Sequence, residues 1–313
     1  MKRRTMIACG IIALLFVILI GRLIYFSIFK NGIYKRQVLS QQNYSSETLP
    51  YKRGDILDRD GNTLATSQKM YTLILEPKNI LRSEEVQKAT IDALHKYMKL
   101  DEDKLLKFIK RHKDSYYSVY REELSYSQIA DLKDFIASDK AENVSGIVFN
   151  EKYKRRYPNQ SLASQVIGFI SDGTIGTGGI EQYYNSTLSG VDGRKYKYLN
   201  EELEQDSSIV EPENGKTVVT TIDSNIQKLA EDQLSKFEKK YGSKGSSILV
   251  MNPNNGEIYA MVNVPEYDLN DPFSLSAKKR KANSKKQQEY LNKKWRNSCL
   301  NDTYEPGSVF KIV

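Results

Sequence analysis

The chain has 313 residues and a formal net charge of +8, with two cysteines and two histidines. Cys9 lies in an apolar N-terminal run far from Cys299, so no disulfide is expected between them, and no Cys or His cluster has the spacing of a metal site. Nine Lys or Arg residues against one acid fall within 278–296. Such a run is typical of a solvated face, and its two aromatic residues are too few for base stacking, so nucleic-acid binding is not predicted.

Residues 6–29 are almost wholly apolar and follow a basic start of Lys2, Arg3 and Arg4. About 20 apolar residues span a bilayer as a helix, and the basic flank favours a cytoplasmic N-terminus. A cleaved signal peptide is the alternative, but no small-residue cleavage site closes the run. We therefore predict a cytoplasmic tip and a transmembrane anchor at 1–30 in contact with membrane lipid. The bulk of this single-pass cell-membrane protein is then extracytoplasmic.

The remaining length predicts two folded units. Residues 201–215 are acidic and end in turn-forming residues, which indicates an exposed linker between a first domain at 31–200 and a second at 216–313. In the first domain a turn at Asp60-Gly61-Asn62 separates two short strands. Hydrophobic periodicity adds further elements. These are strands at 71–75 and 165–170 and helices around 86–98 and 129–136.

Glycines at 176 and 178 superficially resemble a dinucleotide-binding loop. However, Glu181 occupies the place of the third glycine, and a carboxylate there would repel a pyrophosphate. No phosphate site and no cofactor are therefore predicted.

The second domain begins with a β-branched strand at 216–222. A helix follows it, for which Ser224 and Gln227 predict a capping box. Two apolar strands at 246–251 and 257–264 are joined by turn-forming residues and predict a hairpin. Strand, helix and hairpin together indicate an α+β layout whose sheet has only begun.

Near the C-terminus, Pro306 and Gly307 precede Ser308, and Lys311 follows three positions later. Positions three apart are neighbours on a helix, so a lysine amine there can take the proton of the serine hydroxyl. Alone, Ser-x-x-Lys recurs by chance, and a surface turn with a solvated lysine is the alternative. The upstream segments favour the chemical interpretation, with Ser308 as the candidate nucleophile and Lys311 as its proton acceptor.

Ordered segments along nearly the whole chain resemble the class B penicillin-binding proteins, membrane-anchored D,D-transpeptidases that cross-link peptidoglycan in division or sporulation. The matching segments are the N-terminal anchor, Arg53-Gly54 with Asp58-Arg59 and Gly61, Arg156-x-Pro158, Gly179-x-Glu181 with Gly190, Thr221-Ile222-Asp223 with Gln227, 256–260 and 304–311. The resemblance implies an α+β fold with an N-terminal transmembrane helix and an elongated, dimerisation-type pedestal domain. The start of a serine β-lactamase-like transpeptidase domain then follows.

The resemblance also implies roles for single residues. Ser308 would be the acylated serine and Lys311 its proton acceptor, with peptidoglycan stem peptides and beta-lactams as ligands of the complete form. The charges of Arg53, Arg59 and Glu181 would tie the two domains together without catalysing. The other members of this expected structural motif are Gly54, Asp58, Gly61, Arg156, Pro158 and Gly179.

The family also needs a Ser-x-Asn and a Lys-Thr-Gly segment beyond the first motif, and neither follows Ser308 within these 313 residues. We therefore expect a truncated transpeptidase domain, loose folding after about residue 215 and no transpeptidase activity of this chain alone. One alternative is a membrane-anchored scaffold that contacts a membrane glycosyltransferase or divisome-type partner. Another is a beta-lactam sensor of similar fold, which acylates without cross-linking.

Overall fold

The structure is a computed structural model that describes residues 14–22, 45–171, 173–199, 205–243 and 245–312. Contacts divide the chain into a smaller unit, Met1–Pro50 with Val191–Glu213, and a larger unit, Tyr51–Gly190 with Asn214–Val313. Within the larger unit we call residues 51–190 the N-terminal part and residues 214–313 the C-terminal part.

The strands of the described residues run in chain order from Ser45 to Asn263. They are β1 (Ser45–Leu49), β2 (Ile56–Leu57), β3 (Thr63–Leu75), β4 (Ser118–Leu124), β5 (Ile147–Arg156), β6 (Phe169–Ser171), β7 (Ile175–Thr177), β8 (Gly193–Leu199), β9 (Gln205–Val210), β10 (Val218–Val219), β11 (Ser247–Met251) and β12 (Ile258–Asn263).

Helices alternate with these strands from Pro77 onward. They are α1 (Pro77–Ile80), α2 (Glu84–Met98), α3 (Glu102–Arg111), α4 (Tyr126–Ile136), α5 (Ser164–Ile167), α6 (Gly179–Tyr183), α7 (Asn185–Leu188), α8 (Ser224–Tyr241), α9 (Ala277–Arg280), α10 (Ser284–Trp295) and α11 (Ser298–Asn301), with 3-10 turns at Asp139–Ala141 and Gly307–Ile312.

Residues 14–22 are helical, with exposed apolar side chains. None of the helices in the described ranges is both long and apolar enough to cross a membrane. Most of the predicted anchor at 6–29 lies outside the described residues.

In the smaller unit, β1, β8 and β9 form an antiparallel sheet in that order. The sequence predicted an exposed linker at 201–215, whereas Gln205–Val210 pairs with β8 from Leu199↔Gln205 to Arg194↔Val210. The acidic composition of the stretch concealed this strand, because strand pairing is set by a partner that the local sequence does not show.

In the larger unit, β3 is central: β5 pairs along it from Thr66↔Arg156 to Leu75↔Ile147, and β2 and β4 also pair with it. Helices α2 and α4 pack with this sheet around a core that includes Leu73, Leu94 and Leu132, all 0% exposed. The predicted helices and the strand at 71–75 are therefore confirmed. The periodicity succeeded here because each element buries one continuous apolar face.

The strand predicted at 165–170 is wrong in its first half, where the chain forms the helical turn α5. Gly168 ends this turn with a φ of +75°, and a Cβ there would lie 2.0 Å from the carbonyl oxygen of Gly178. A short apolar run does not distinguish a buried strand from a buried turn.

The C-terminal part contains the predicted helix and hairpin. β11 and β12 pair antiparallel, and Ala230 and Leu234 of α8 share a core cluster with Val262 of β12. The predicted capping box is wrong, because the side chain of Asp223 caps α8 by accepting from the N–H groups of Asn225 and Ile226. The strand predicted at 216–222 is reduced to β10, which pairs in parallel with β2.

The basic segment at 278–296 includes α9 and α10. Trp295 at the end of α10 donates from Nε1 to the carbonyl oxygen of Pro272 at 3.0 Å, and its ring packs against Phe169 and Phe273. This aromatic cluster fixes the basic helix against the N-terminal part while its lysines remain at the surface.

Candidate functional site

Ser308 and Lys311 lie in the 3-10 turn Gly307–Ile312. Residues three apart stack on one another in such a turn, so the two side chains share a face. Both are exposed, and among the described residues no hydrogen bond joins Ser308 Oγ to Lys311 Nζ. The turn thus brings the candidate nucleophile and its proton acceptor to one face without forming the contact that proton transfer requires.

The short helix α11, which precedes this turn in the chain, is held by Asn263 at the end of β12. Asn263 Oδ1 accepts from the N–H of Cys299 at 3.1 Å and from Ser298 Oγ at 2.5 Å, and its Nδ2 donates to Asn297 Oδ1 at 3.0 Å. Asn263 and Asn297 are 2% and 6% exposed. Sequence reasoning missed both, although a polar residue that ends an apolar strand was a usable signal.

A groove of about 1230 Å³ lies between the hairpin and the basic helix. Its lining includes the basic residues Lys279 and Lys293, together with Glu266, Tyr290 and Tyr304. Ser308 and Lys311 are not among its lining residues, so the groove does not contain the candidate nucleophile.

A buried charge cluster centres on Glu181, which is 0% exposed. Arg53 Nε donates to its Oε2 at 2.9 Å and Arg155 Nε to its Oε1 at 2.7 Å. Tyr157 Oη donates to Oε1 at 3.2 Å, and burial followed by the charge of Glu181 raises the pKa of this phenol. Arg155 Nη1 also donates to the carbonyl oxygen of Gly54 at 2.7 Å. All of these residues belong to the N-terminal part, so the cluster organises that part from within.

Arg155, which sequence reasoning missed, donates to Glu181, whereas the resemblance had singled out its neighbour Arg156. Successive residues of a strand point to opposite faces, so only one of the two arginines can face Glu181. Arg156 pairs with Thr66 across the sheet, and Pro158 is exposed. The resemblance therefore pointed to this strand, and the arginine of the strand that joins the Glu181 cluster is Arg155.

Asp58 and Arg59 connect the two parts of the larger unit. Ser224 Oγ donates to Asp58 Oδ2 at 2.6 Å, and the N–H of Arg59 donates to the carbonyl oxygen of Ile222 at 2.9 Å. The Arg59 guanidinium lies 4.5 Å from the ring centroid of Tyr259. Burial would raise the pKa of Asp58, but its hydrogen bonds, from Ser224 above all, outweigh burial and lower that pKa to about 2.

Two glycines of the motif allow close backbone approach. A Cβ on Gly54 would lie 1.9 Å from the carbonyl oxygen of Lys216, and one on Gly179, whose φ is +51°, would lie 2.2 Å from that of Val166. Gly61 lies in the turn after Asp58. Gly54 thus lets the segment that carries Arg53 run directly beside Lys216 of the C-terminal part.

Two protein-family models match this chain: one covers the part with the Glu181 cluster, and the other covers the part with Ser308. A model described as "Penicillin-binding Protein dimerisation domain" matches residues 48–220, and one described as "Penicillin binding protein transpeptidase domain" matches 246–313. The first runs through the predicted linker at 201–215.

Among curated proteins, "Stage V sporulation protein D" of Bacillus subtilis is 29% identical over 96% of this chain and 45% of its own length. "Probable peptidoglycan D,D-transpeptidase PenA" of Neisseria meningitidis is 28% identical over 96% of this chain and 48% of its own. The chain thus spans about half the length of these relatives.

Among solved structures, penicillin-binding protein 2X from Streptococcus thermophilus is 26% identical and superposes with a TM-score of 0.60 over 72% of this chain and 36% of its own. PBP2 from Helicobacter pylori in complex with MreC is 26% identical, with a TM-score of 0.55 over 86% of this chain and 51% of its own. A dimerisation model across more than half of the chain, followed by a transpeptidase model, establishes that this chain belongs to the class B penicillin-binding proteins.

Proposed function

We propose that this chain supplies the pedestal and the nucleophile of a membrane-anchored peptidoglycan D,D-transpeptidase. The observation that carries the proposal is the shared face of Ser308 and Lys311 inside the segment that matches the transpeptidase model. The names of the curated relatives support this reaction class and a role in division or sporulation.

In the proposed reaction, Ser308 Oγ attacks the carbonyl carbon of the penultimate D-Ala of a stem peptide while the amine of Lys311 accepts the hydroxyl proton. The peptide bond to the terminal D-Ala then breaks, and the departing amine takes up a proton. An amine of a neighbouring stem peptide next attacks the acyl-enzyme ester, which forms the cross-link and returns the serine hydroxyl. A beta-lactam would acylate the same oxygen by opening its ring.

The anchor, the domain limits and the partner belong to the same proposal. The basic start and apolar run favour an anchor at 1–30, followed by a pedestal at 31–200 and catalytic residues from 216 onward. The complex of the similar Helicobacter pylori PBP2 with MreC supports a divisome-type partner for the pedestal; a membrane glycosyltransferase is a further proposed partner.

We also propose that a polypeptide of these 313 residues alone forms no stable adduct with penicillin. Ser308 and Lys311 are exposed, and stable acylation requires preorganised donors for the developing oxyanion. Removing one such donor typically costs about 10²- to 10³-fold in rate.

The experiment is labelling of the natural full-length protein with a fluorescent penicillin. Ser308→Ala should abolish labelling, because it removes the attacking oxygen. Lys311→Ala should slow labelling by about 10²- to 10⁴-fold through the loss of proton transfer. Lys286→Ala, which removes an exposed lysine of α10, is the control and should label at the wild-type rate. Labelling that survives Ser308→Ala would show that another residue is the nucleophile.

A further inference from the structure

Glu231 on α8 is a buried acid with partners in both parts of the larger unit. Its Oε1 accepts from the backbone N–H of Ala163 and from Gln227 Nε2, each at 2.8 Å, and its residue is 8% exposed. Ala163 has a φ of +52°, a left-handed conformation that a Cβ disfavours. The carboxylate therefore holds a strained turn of the N-terminal part against a helix of the C-terminal part.

Gln227 connects Glu231 to β12. Its Oε1 accepts from the N–H of Met261 at 2.8 Å, and its Nε2 also donates to the carbonyl oxygen of Met261 at 3.1 Å. An amide has a donor end and an acceptor end, whereas a carboxylate only accepts, so Glu231 fixes the orientation of this amide. Gln227 is 1% exposed, and no solvent competes for these bonds.

From β12 the hydrogen bonds continue to the segment that leads to Ser308. Asn297 Nδ2 donates to Met261 Sδ at 3.2 Å, and Asn263 holds both Asn297 and the N–H of Cys299. Met261, Asn263 and Asn297 are at most 6% exposed. A series of buried polar contacts thus runs from Ala163 through the backbone and side chain of Met261 to α11, which precedes the turn with Ser308.

We propose that Glu231 is a positioning residue for the nucleophile. Through Gln227 and β12 it sets the position of α11, the short helix that precedes the turn with Ser308, relative to the N-terminal part. This inference rests on the transpeptidase function proposed above. A carboxylate that only satisfied the N–H of Ala163 would stabilise the fold without affecting the rate of acylation.

The ionisation of Glu231 should make the acylation rate depend on pH, which a purely structural role of this side chain would not do. The charged groups that face it are Glu266 from the loop after β12 and Asp232 and Lys228 from α8. Burial raises the pKa of Glu231, while its two hydrogen bonds act in the opposite direction. Because an ionised acceptor forms stronger hydrogen bonds than a neutral one, the positioning should strengthen as the pH rises.

The test is the rate at which benzylpenicillin acylates the natural full-length protein between about pH 5 and about pH 9. Glu231→Leu removes the acceptor and should lower the rate at least about tenfold. Glu231→Gln keeps an acceptor oxygen and should retain most of the rate, but the ratio of the wild-type rate to its rate should grow with pH. Asp232→Asn removes only an exposed neighbouring charge and should keep the wild-type rate at the upper end of this pH range, where Glu231 is ionised in both proteins.

Gln227→Met is the second variant, because it replaces the amide with a side chain of similar size and does not depend on whether Glu231→Leu folds. It should lower the rate by a similar factor. The double variant should lose no more than either single variant, since both break one network. Wild-type rates in Gln227→Met, or additive losses in the double variant, would overturn the proposal.

Hydrogen exchange separates this inference from the proposed function. Exchange at the amides of Met261 and Cys299 should accelerate in Gln227→Met and stay at the wild-type rate in Asp232→Asn, whether or not the protein is acylated. Unchanged exchange in Gln227→Met would overturn the positioning role. Labelling retained by Ser308→Ala would instead overturn the proposed function alone.

Discussion

At Glu181 one carboxylate accepts from two guanidinium groups in a site closed to solvent. The side chains of Arg53 and Arg155 are each 6% exposed, and that of Glu181 is 0% exposed. Such a cluster is weak evidence of net stability, because desolvation offsets much of the attraction. Its loss is costly all the same, since removing one partner leaves the others as buried, uncompensated charges.

We therefore expect Glu181→Gln to lower the free energy of unfolding by about 3–5 kcal/mol. Glu151→Gln is the matched control, because Glu151 pairs with Lys69 at 2.8 Å but its side chain is 35% exposed. Glu151→Gln should lower the free energy of unfolding by no more than about 1 kcal/mol. Urea unfolding measures both variants, and equal losses would contradict the importance of the cluster.

Glu266 makes the protein less stable as the pH rises, whereas a salt-bridged acid makes a protein less stable as the pH falls. Burial, and then the charge of Glu231, raise its pKa from an ordinary value of 4.5 to about 7. Between these two values the folded protein binds a proton that the unfolded chain lacks. The stabilising contribution is therefore present below the unfolded pKa and is lost as the pH rises through about 7.

The melting temperature of Glu266→Gln should accordingly fall less than that of wild type between about pH 5 and about pH 8. Glu289→Gln removes an exposed acid from α10 and should follow the wild-type profile. Calorimetry across this range measures the difference. A Glu266→Gln profile parallel to that of wild type would show that Glu266 does not titrate as described.

At the scale of the element, helix α8 illustrates which interactions a local pattern predicts. The sequence predicted the helix itself, but Asp223 caps it while Ser224 instead donates to Asp58. The spacing of Ser224 and Gln227 matched a capping box, yet tertiary partners recruited both side chains.

Asp223→Ala should therefore destabilise the protein by about 1 kcal/mol, because two N–H groups of the first turn lose their acceptor. Asn225→Ala, an exposed change in the same turn, should cost less than about 0.5 kcal/mol. Thermal unfolding of the two variants compares them directly. A larger loss of stability in Asn225→Ala than in Asp223→Ala would show that Asp223 is not the residue that caps α8.

The elements that the sequence predicted are those with a continuous apolar period. Helices α2, α4 and α8 and the hairpin of β11 and β12 each bury one face, which the pattern records. The α5 turn and β9 depend on contacts with distant residues, and a local window does not contain them. For the candidate site, the motifs singled out Ser308, Lys311 and Glu181; the first two share one turn and Glu181 lies at the centre of a buried charge cluster.

Arg155 and Glu231 were missed for a physical reason. Their partners Glu181 and Ala163 lie far away in the chain, and either residue read alone resembles an ordinary surface charge.

At the scale of the whole molecule, the charge pattern predicts the topology. The basic flank before residue 6 favours a cytoplasmic N-terminus, so residues 31–313 should lie outside the membrane. Protease added to intact spheroplasts should digest the bulk of the chain and leave a cytoplasmic control protein intact. Full protection of the chain would contradict this topology.

The most direct test of the proposed chemistry is the site of acylation. The natural full-length protein is incubated with benzylpenicillin and digested with trypsin, and the peptide spanning 297–311 is fragmented in a mass spectrometer. This peptide contains both Ser298 and Ser308, so the fragment ions distinguish the two hydroxyls. The expected result is one adduct on Ser308 that is absent from Ser308→Ala. An adduct on Ser298, or on a different peptide, would contradict the assignment of Ser308 as the nucleophile.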